Sequence, residues 1–317
     1  MGNIMYTRYS DLAVRLYERP FRKLTISDHK WVTRICAADR GIAQYINFTS
    51  IFLSQAMYNA YLRKFKGCIT KKPIIGDDGI LYCQYPIGAP GKRKNALKKI
   101  VDIYSVKCDG FAFYAASDEN VEEIRQLYGN AITDITNSAE NQNYILDADE
   151  QISMEGRAFS SRHNKISRFD RTYNWTYEYI TKANMDECLA INAKWYGERE
   201  KTEEIDGEQL ALKIAFEHYD ALGLDGGIMR IDGKAVAFGI GIPFNDEIYL
   251  DLFRKALNEY RDINTAFMQE FMKRHCRGYK YINDAEDMGI PGLRLFKSKL
   301  HPKFMIPFYT VTMKKPI

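Results

Sequence analysis

The sequence predicts an α/β (α+β) protein of two tandem domains, each a mixed sheet flanked by helices. Three observations carry that expectation. The 317 residues suggest about two domains at roughly 150 residues each. Strand-like alternation and helix-like periodicity interleave along the whole chain. A polar, acidic stretch over residues 137–149 divides it into halves of similar charge balance, which sets expected domains at 1–146 and 147–317.

The first half reads as follows. Arg22 to Ile26 suits a strand, and Ser27 caps a helix through Ala38. Phe48 to Phe65 is helical. Gly67 to Ile75 and Gly79 to Ile87 form a hairpin across Asp77-Asp78-Gly79. Arg93 to Lys107 is a helix, Phe111 to Ala115 a strand, Asp118 to Tyr128 a helix and Ala131 to Thr136 a strand.

The second half has cleaner signals. Gly156 to Tyr173 is a basic amphipathic helix. Trp175 to Ile180 alternates as a strand. Asp186 to Arg199 and Gly207 to Leu222 are helices, the latter stopped by Gly223. Gly227 to Ile231, Lys234 to Ile242 and Glu247 to Phe253 are three meandering strands, the first two joined by the turn Asp232-Gly233. Ile263 to His275 is a helix and Tyr279 to Asn283 a strand. Pro291 opens a helix running to about Leu300, and Phe304 to Met313 reads as a last strand. From Trp175 on, the order β-α-α-β-β-β-α-β-α-β is that of an acyltransferase fold of the GNAT type. The first half repeats a similar order without residue-level identity.

Composition narrows the function classes. Hydrophobic residues make up 46% and charged residues 27%, ordinary for a globular chain, so disorder, collagen and coiled coil do not fit. A net charge of +4 is too small to mark the whole chain as a nucleic-acid binder. The most apolar stretch, Ile42 to Leu62, is interrupted by Gln44, Asn47, Ser54, Gln55 and Asn59, short of a bilayer span. Met1 to Arg22 lacks a signal-peptide core, and a cytoplasmic location is expected. Cys36, Cys68, Cys83, Cys108, Cys188 and Cys276 form no CxxC pair, which predicts free, mostly buried thiols. The five histidines form no HxH or HxxxH pair, and no metal is expected. GxSxG, GxxxxGK[ST] and GxGxxG are all absent.

Four features bear on chemistry. On the helix from Gly156 to Tyr173, Phe159, Ile166, Phe169 and Tyr173 mark a packed stripe. Arg157, Arg162, Lys165, Arg168 and Arg171 are expected to fan over the other side, as a solvated face or as an anion-binding surface. Beyond Met288 the chain has six Lys and Arg residues and no acidic one. There Arg294 and Lys297 share a helix face, just after the loop Asn283-Asp-Ala-Glu-Asp287. Asp251 interrupts an apolar strand, where an unpaired carboxylate is costly, and Arg254 ends that strand. Finally, a GNAT coenzyme A site uses a turn of the form [QR]xxGx[GA], whose backbone N–H groups hold the pyrophosphate. Here the turn is Arg261-Asp-Ile-Asn-Thr-Ala266. Asn264 stands at the close-approach glycine, which counts against acetyl-CoA.

Several segments together resemble a bacterial family. GRAFSSRHNKISRF at 156–169 is similar to its GKKYxxKRNxINxF segment, with Arg162-His163-Asn164 at KRN. Leu250 to Arg254 resembles IDLMR, Asn283 to Gly292 resembles NxExDLGIxG, and Gly292 to Lys299 resembles GLRxFKxK. Tyr85-Pro-Ile-Gly88 resembles an FPIG strand end. This family, once listed as a domain of unknown function, is similar to the soluble C-terminal catalytic domain of phosphatidylglycerol lysyltransferase. The resemblance implies two tandem GNAT-like domains that move an aminoacyl group from aminoacyl-tRNA to a lipid hydroxyl. It puts Asp251, Arg254, Lys297 and Lys299 at the catalytic cleft. It puts Arg294, Arg162, Asn164, Lys165, Asn283, Glu286 and Asp287 around the substrate.

An acyl- or aminoacyl-transferase is therefore expected, with its chemistry in the second half. The donor would be aminoacyl-tRNA or acyl-CoA and the acceptor a hydroxyl or amine. Asp251 would act as base, and Lys297 or Lys299, with Arg254, as oxyanion donors. A tRNA or an anionic lipid headgroup would be the partner. The alternative is a non-catalytic module that binds anions, RNA or headgroups on the same scaffold.

Overall fold

The computed structural model describes residues 20–199 and 202–316. The expectation for Met1 to Arg22 lies largely outside them. The chain forms two units. Among the described residues, the first takes those up to Gln55, residues 59–142 and those from Ile306 on. The second takes 56–58 and 143–305.

In the first unit, Arg22 makes only an isolated bridge to Leu62, and a short 3-10 turn leads into α1 (His29–Asp39). Helix α2 (Phe48–Tyr58) stops at Asn59, in the left-handed conformation. The expected single hairpin is instead two. Lys66 and Gly67, at φ of 50° and 82°, form a two-residue turn that pairs β1 (Leu62–Phe65) with β2 (Cys68–Lys71). Primed turns of that kind match strand twist. The second hairpin pairs β3 (Ile74–Ile75) with β4 (Ile80–Gln84). Helix α3 (Pro90–Tyr104) opens with proline, whose missing N–H costs nothing at a first helical position. It carries the chain to β5 (Gly110–Ala116), parallel to β4. Helix α4 (Asp118–Tyr128) and β6 (Ile132–Asn137) follow.

The last strand, β14 (Tyr309–Lys314), was expected to close the second domain. It lies instead between β5 and β6 in the first unit's five-stranded sheet, in the order β3-β4-β5-β14-β6. Its alternating Val311 and Met313 are buried in the core built from Leu81, Phe111, Phe113, Leu97 and Ile124. Alternation marks a strand and its inward face, but it does not name the sheet.

The second unit is a seven-stranded sheet in the order β13-β7-β12-β11-β10-β9-β8. It begins at β7 (Asn143–Asp147), which pairs antiparallel with β12 (Tyr281–Asn283). This places the division at residues 142/143. Helices α5 (Ala148–Ser153) and α6 (Ser160–Thr172) come next, then β8 (Trp175–Tyr179), α7 (Met185–Gly197) and α8 (Glu203–Glu217). Strands β9 (Asp225–Ile231) and β10 (Lys234–Pro243) are joined at Asp232-Gly233, with φ of 48° and 80°, the turn read from the sequence. β11 (Ile248–Ala256) is antiparallel to β10. Helix α9 (Ile263–His275) and helix α7 both pack on β10, so its middle is buried on both faces and reads as a continuous apolar run. The core under α9 includes Phe169, Met229, Tyr249, Phe267, Phe271 and Ile282. Helix α10 (Pro291–Ser298) and β13 (Phe304–Ile306) end the unit.

All six cysteines are buried and unpaired. Among the described residues, no helix is long and apolar enough to cross a membrane, and no group of three His, Cys, Asp or Glu side chains is arranged to hold a metal ion.

Candidate active site

Two local features build the site. The first is a β-bulge. Gly239 pairs with Arg254 and Ile240 with Phe253, but Gly241 pairs with Asp251, which leaves Leu252 without a partner. Three residues apart on a regular strand, Asp251 and Arg254 would face opposite sides. The extra residue turns both to the same face, and the guanidinium Nε comes within 3.1 Å of Asp251 Oδ2. Gly239 leaves room for this side chain. A Cβ there would lie 3.1 Å from Arg254 Cγ and 3.0 Å from the Phe267 ring.

The second is a fork in the sheet. Parallel pairing of β11 and β12 covers only Ile248–Leu250 against Tyr281–Asn283. Asp251 and Asp284 are the next residue on each strand, where the strands part. The loop after β12 is held by Asn283, whose side chain accepts the Ala285 N–H at 3.0 Å and fixes Ala285 at φ 56°. The Asp284 carbonyl is thereby offered to Lys297 Nζ, which donates to it. Arg254 Nη2 donates to Asp284 Oδ1 at 2.5 Å, and Lys297 Nζ lies 3.5 Å from Asp284 Oδ2. Side-chain exposure is 4% for Asp251, 1% for Asp284, 6% for Lys297 and 17% for Arg254.

This cluster has unspent hydrogen-bonding capacity. Asp251 Oδ2, Asp284 Oδ2, Glu286 Oε2, Arg254 Nη1 and Arg162 Nε are all buried without a hydrogen-bond partner. The ionic contacts at 3.1 Å and 3.5 Å therefore attract without hydrogen-bond geometry. Buried polar groups are almost always satisfied, so these orphans make the fork the candidate site. Burial pushes the Asp251 carboxyl up to about 6; Arg254 and Lys297 oppose this and Asp284 adds to it. Burial also raises Glu286.

Some expected site residues support the cluster from outside. Asp287 accepts from Arg294 through a two-point fork at 2.9 Å each, from Tyr144 Oη at 2.6 Å and from the Gly289 N–H at 2.8 Å. Burial works against these bonds, yet together they hold its carboxyl down at about 2. Asn283 Nδ2 lies 3.4 Å from Asn143 Oδ1. Asn164 and Lys165 are exposed on α6, and Lys299 is exposed at the end of α10. The structure does not bring these three into the cluster.

Arg162 requires a correction. It does not fan into solvent with the other bases of its helix; it is 8% exposed. Four residues before Ile166 and seven before Phe169, it shares the apolar stripe, a spacing that was there to be read. Its Nη1 donates to Gln151 Oε1 at 2.6 Å and its Nη2 to Gln269 Oε1 at 2.8 Å. Burial and the nearby Arg254 lower its pKa to about 10. Sequence reasoning also missed Asp284 as an individual residue, although the acidic loop was evident. Its signal was position: it is the first residue beyond a strand end. Gln151 and Gln269 carried no signal.

At the start of α9 the coenzyme-type turn is altered further than the sequence suggested. Asp262 precedes the helix at φ 66°, with its carboxylate held by Arg168 Nε at 2.7 Å. A carboxylate here opposes a pyrophosphate, and the φ that glycine would take freely is taken by aspartate.

A seven-stranded mixed sheet, a fork between parallel strands and a buried acid-base cluster at that fork define a GNAT-like acyltransferase fold. A FemX crystal structure shares it over 92% of this chain and 97% of that one, at TM-score 0.55 and 10% identity. Residues 44–312 match the family described as phosphatidylglycerol lysyltransferase, C-terminal, and the chain belongs to that family. It is similar to a conserved protein of unknown function from Bacteroides thetaiotaomicron: TM-score 0.82, 25% identity, 93% of this chain and 99% of that one. It is also similar in fold to L-PGS from Bacillus licheniformis: TM-score 0.65, 14% identity, 95% of each chain. No curated protein sequence matches it.

Proposed function

We propose that the protein is an aminoacyltransferase whose second unit moves an aminoacyl group from aminoacyl-tRNA to a hydroxyl acceptor. The observation that carries this reading is the Asp251–Arg254–Asp284–Lys297 cluster at the sheet fork, with its orphaned acceptors and donors. An aminoacyl ester offers both a cationic ammonium for the free carboxylate oxygens and a carbonyl for the free N–H groups. The Asp262–Arg168 pair at the head of α9 favours this donor over acyl-CoA.

The reaction follows from the charges. Asp251 takes the proton of the acceptor hydroxyl as its oxygen attacks the ester carbonyl carbon. A base titrating at about 6 is ionised at neutral pH yet basic enough to accept that proton. The new oxyanion forms beside Arg254 and Lys297 at the buried fork, away from water, where such contacts are strongest. The tetrahedral centre collapses, the bond to the tRNA ribose oxygen breaks, and the proton on Asp251 passes to that oxygen. Asp284 holds Arg254 and Lys297 in place and is a positioning residue. The donor places the reaction in the cytoplasm, and an anionic lipid headgroup bearing a hydroxyl is the acceptor most in keeping with the family.

The test is transfer of labelled amino acid from charged tRNA to lipid vesicles by the full chain. Asp251→Asn and Lys297→Ala should each lower turnover by about 10²–10⁴-fold. Unchanged turnover in both variants refutes the roles. Salt-sensitive RNA binding by the wild type without any transfer favours the non-catalytic module instead.

A further inference from the structure

A cavity in the second unit shares no residue with the fork. It measures about 550 Å³. Pro243, Asn245 and Asp246 line it from the turn between β10 and β11, and Arg277, Gly278 and Tyr279 from the connection between α9 and β12. The turn is fixed by its own bonds. Asn245 Oδ1 accepts the Glu247 and Ile248 N–H groups at 2.9 Å and 2.8 Å, and the Phe244 N–H donates to the Ile248 carbonyl at 2.8 Å. The Glu247 carbonyl accepts the Lys280 and Tyr281 N–H groups at 2.9 Å and 3.0 Å, which pins the two segments side by side. Gly278 takes a φ of 93°, which glycine adopts without strain. The Tyr279 ring stands edge-on to Tyr249, with 5.5 Å between centroids. The walls are therefore set before any ligand arrives, as in most small-molecule sites.

The polar groups on these walls are unspent. Among the described residues, the Arg277 guanidinium and the Asp246 carboxylate have no hydrogen-bond or ion-pair partner, and the Tyr279 hydroxyl has no hydrogen-bond partner. Arg277 and Asp246 share one cavity without pairing with each other. A cation and an anion that leave a gap between them are matched by a ligand that carries both charges. We propose that this cavity binds a zwitterion with a free α-ammonium and a free α-carboxylate: an amino acid or a short peptide with an apolar side chain. Arg277 closes a two-point fork on the carboxylate. Asp246 takes the ammonium, which the C-terminal end of α9, at His275, also favours. Pro243 and the Tyr279 ring receive the apolar side chain. An ester-linked aminoacyl group has no free carboxylate for Arg277. This ligand is therefore not the donor of the reaction proposed above, and the site does not rest on that reading.

The experiment is isothermal titration of the full-length protein with four probes: L-phenylalanine, glycyl-L-phenylalanine, N-acetyl-L-phenylalanine and L-phenylalaninamide. At least one of the first two should bind. Both blocked probes should bind at least about tenfold more weakly, since each loses one charge-assisted contact. Arg277→Gln should lower affinity for the zwitterion and abolish its advantage over the amide. Asp246→Asn should lower it too and abolish the advantage over the N-acetyl compound. Arg277→Lys should recover part of the affinity. Both positions are exposed, so the thermal midpoints should stay at the wild-type value. Tighter binding of phenylalanine identifies a free amino acid as the ligand, and tighter binding of the dipeptide identifies a peptide with both ends free. The proposal is overturned if the wild type binds neither zwitterion, if the blocked probes bind as tightly as the free ones, or if the two variants keep the wild-type preferences. Binding is read as heat with no tRNA or lipid present, so this proposal and the transferase reading fail separately.

Discussion

Replacing Arg254 by methionine tests the electrostatics of the fork through stability rather than turnover. Methionine keeps much of the stem volume and removes the charge. The substitution leaves Asp251 and Asp284 buried, with Lys297 as the one cation in ionic contact with Asp284. The wild-type Asp251 carboxyl is raised from an ordinary 3.8 to about 6. A carboxyl whose folded pKa is raised costs stability above its unfolded pKa, and that cost disappears as pH falls to it. Arg254 opposes the rise, so its loss moves the folded pKa higher still. At pH 8 the wild type carries the cost of a shift from 3.8 to about 6. A variant with Asp251 still protonated at pH 8 carries about two pH units more, close to 3 kcal/mol at about 1.4 kcal/mol per unit. At pH 5 the folded carboxyl is protonated in both proteins and this difference vanishes. Urea midpoints at pH 5 and pH 8, with unchanged m-values, should show a destabilisation larger by up to about 3 kcal/mol at pH 8. In an Asp251→Asn background that pH-dependent part should disappear, which isolates the pair from Asp284. A destabilisation equal at the two pH values refutes the assignment of Arg254 as the counter-charge of Asp251.

Two further outcomes are expected. Asp287→Asn should weaken the charge-assisted bonds from Arg294 and Tyr144 and destabilise by about 2–3 kcal/mol at neutral pH. Because this carboxyl is held down at about 2, its contribution is present above pH 4 and is lost as pH falls toward 2, so wild type and variant should converge there in acid titrations followed by tyrosine fluorescence. Deleting residues 309–317 should remove the strand between β5 and β6. Hydrogen exchange should then show lost protection in β5 and β6 while β10 and β11 keep theirs; loss confined to β11 and β12 would contradict the strand's place in the first unit.

The fold was readable where local chemistry decides it. Asp232-Gly233, Pro291 and the alternation of β8 each act over a few residues, and periodicity in the second half was enough to order its elements. The site was readable in part for the same reason. A carboxylate within an apolar strand marks Asp251, and an acidic loop before a basic helix marks the segment that supplies Asp284 and Lys297. Lys299, Asn164 and Lys165 share motifs with buried residues but lie at the surface, because a motif gives order along the chain and not the direction of each side chain.

By itself the sequence determined the α/β class, the GNAT-like element order, the family motifs and the carboxylate on which the proposed chemistry centres. Tertiary structure decided which sheet receives the last strand, since alternation is the same whichever neighbour it meets. It decided that Asp251 and Arg254 meet, because a one-residue bulge reverses the side on which every later residue lies. It also decided what receives Arg162 on that inward stripe: two glutamines more than a hundred residues apart, a contact that no local pattern encodes.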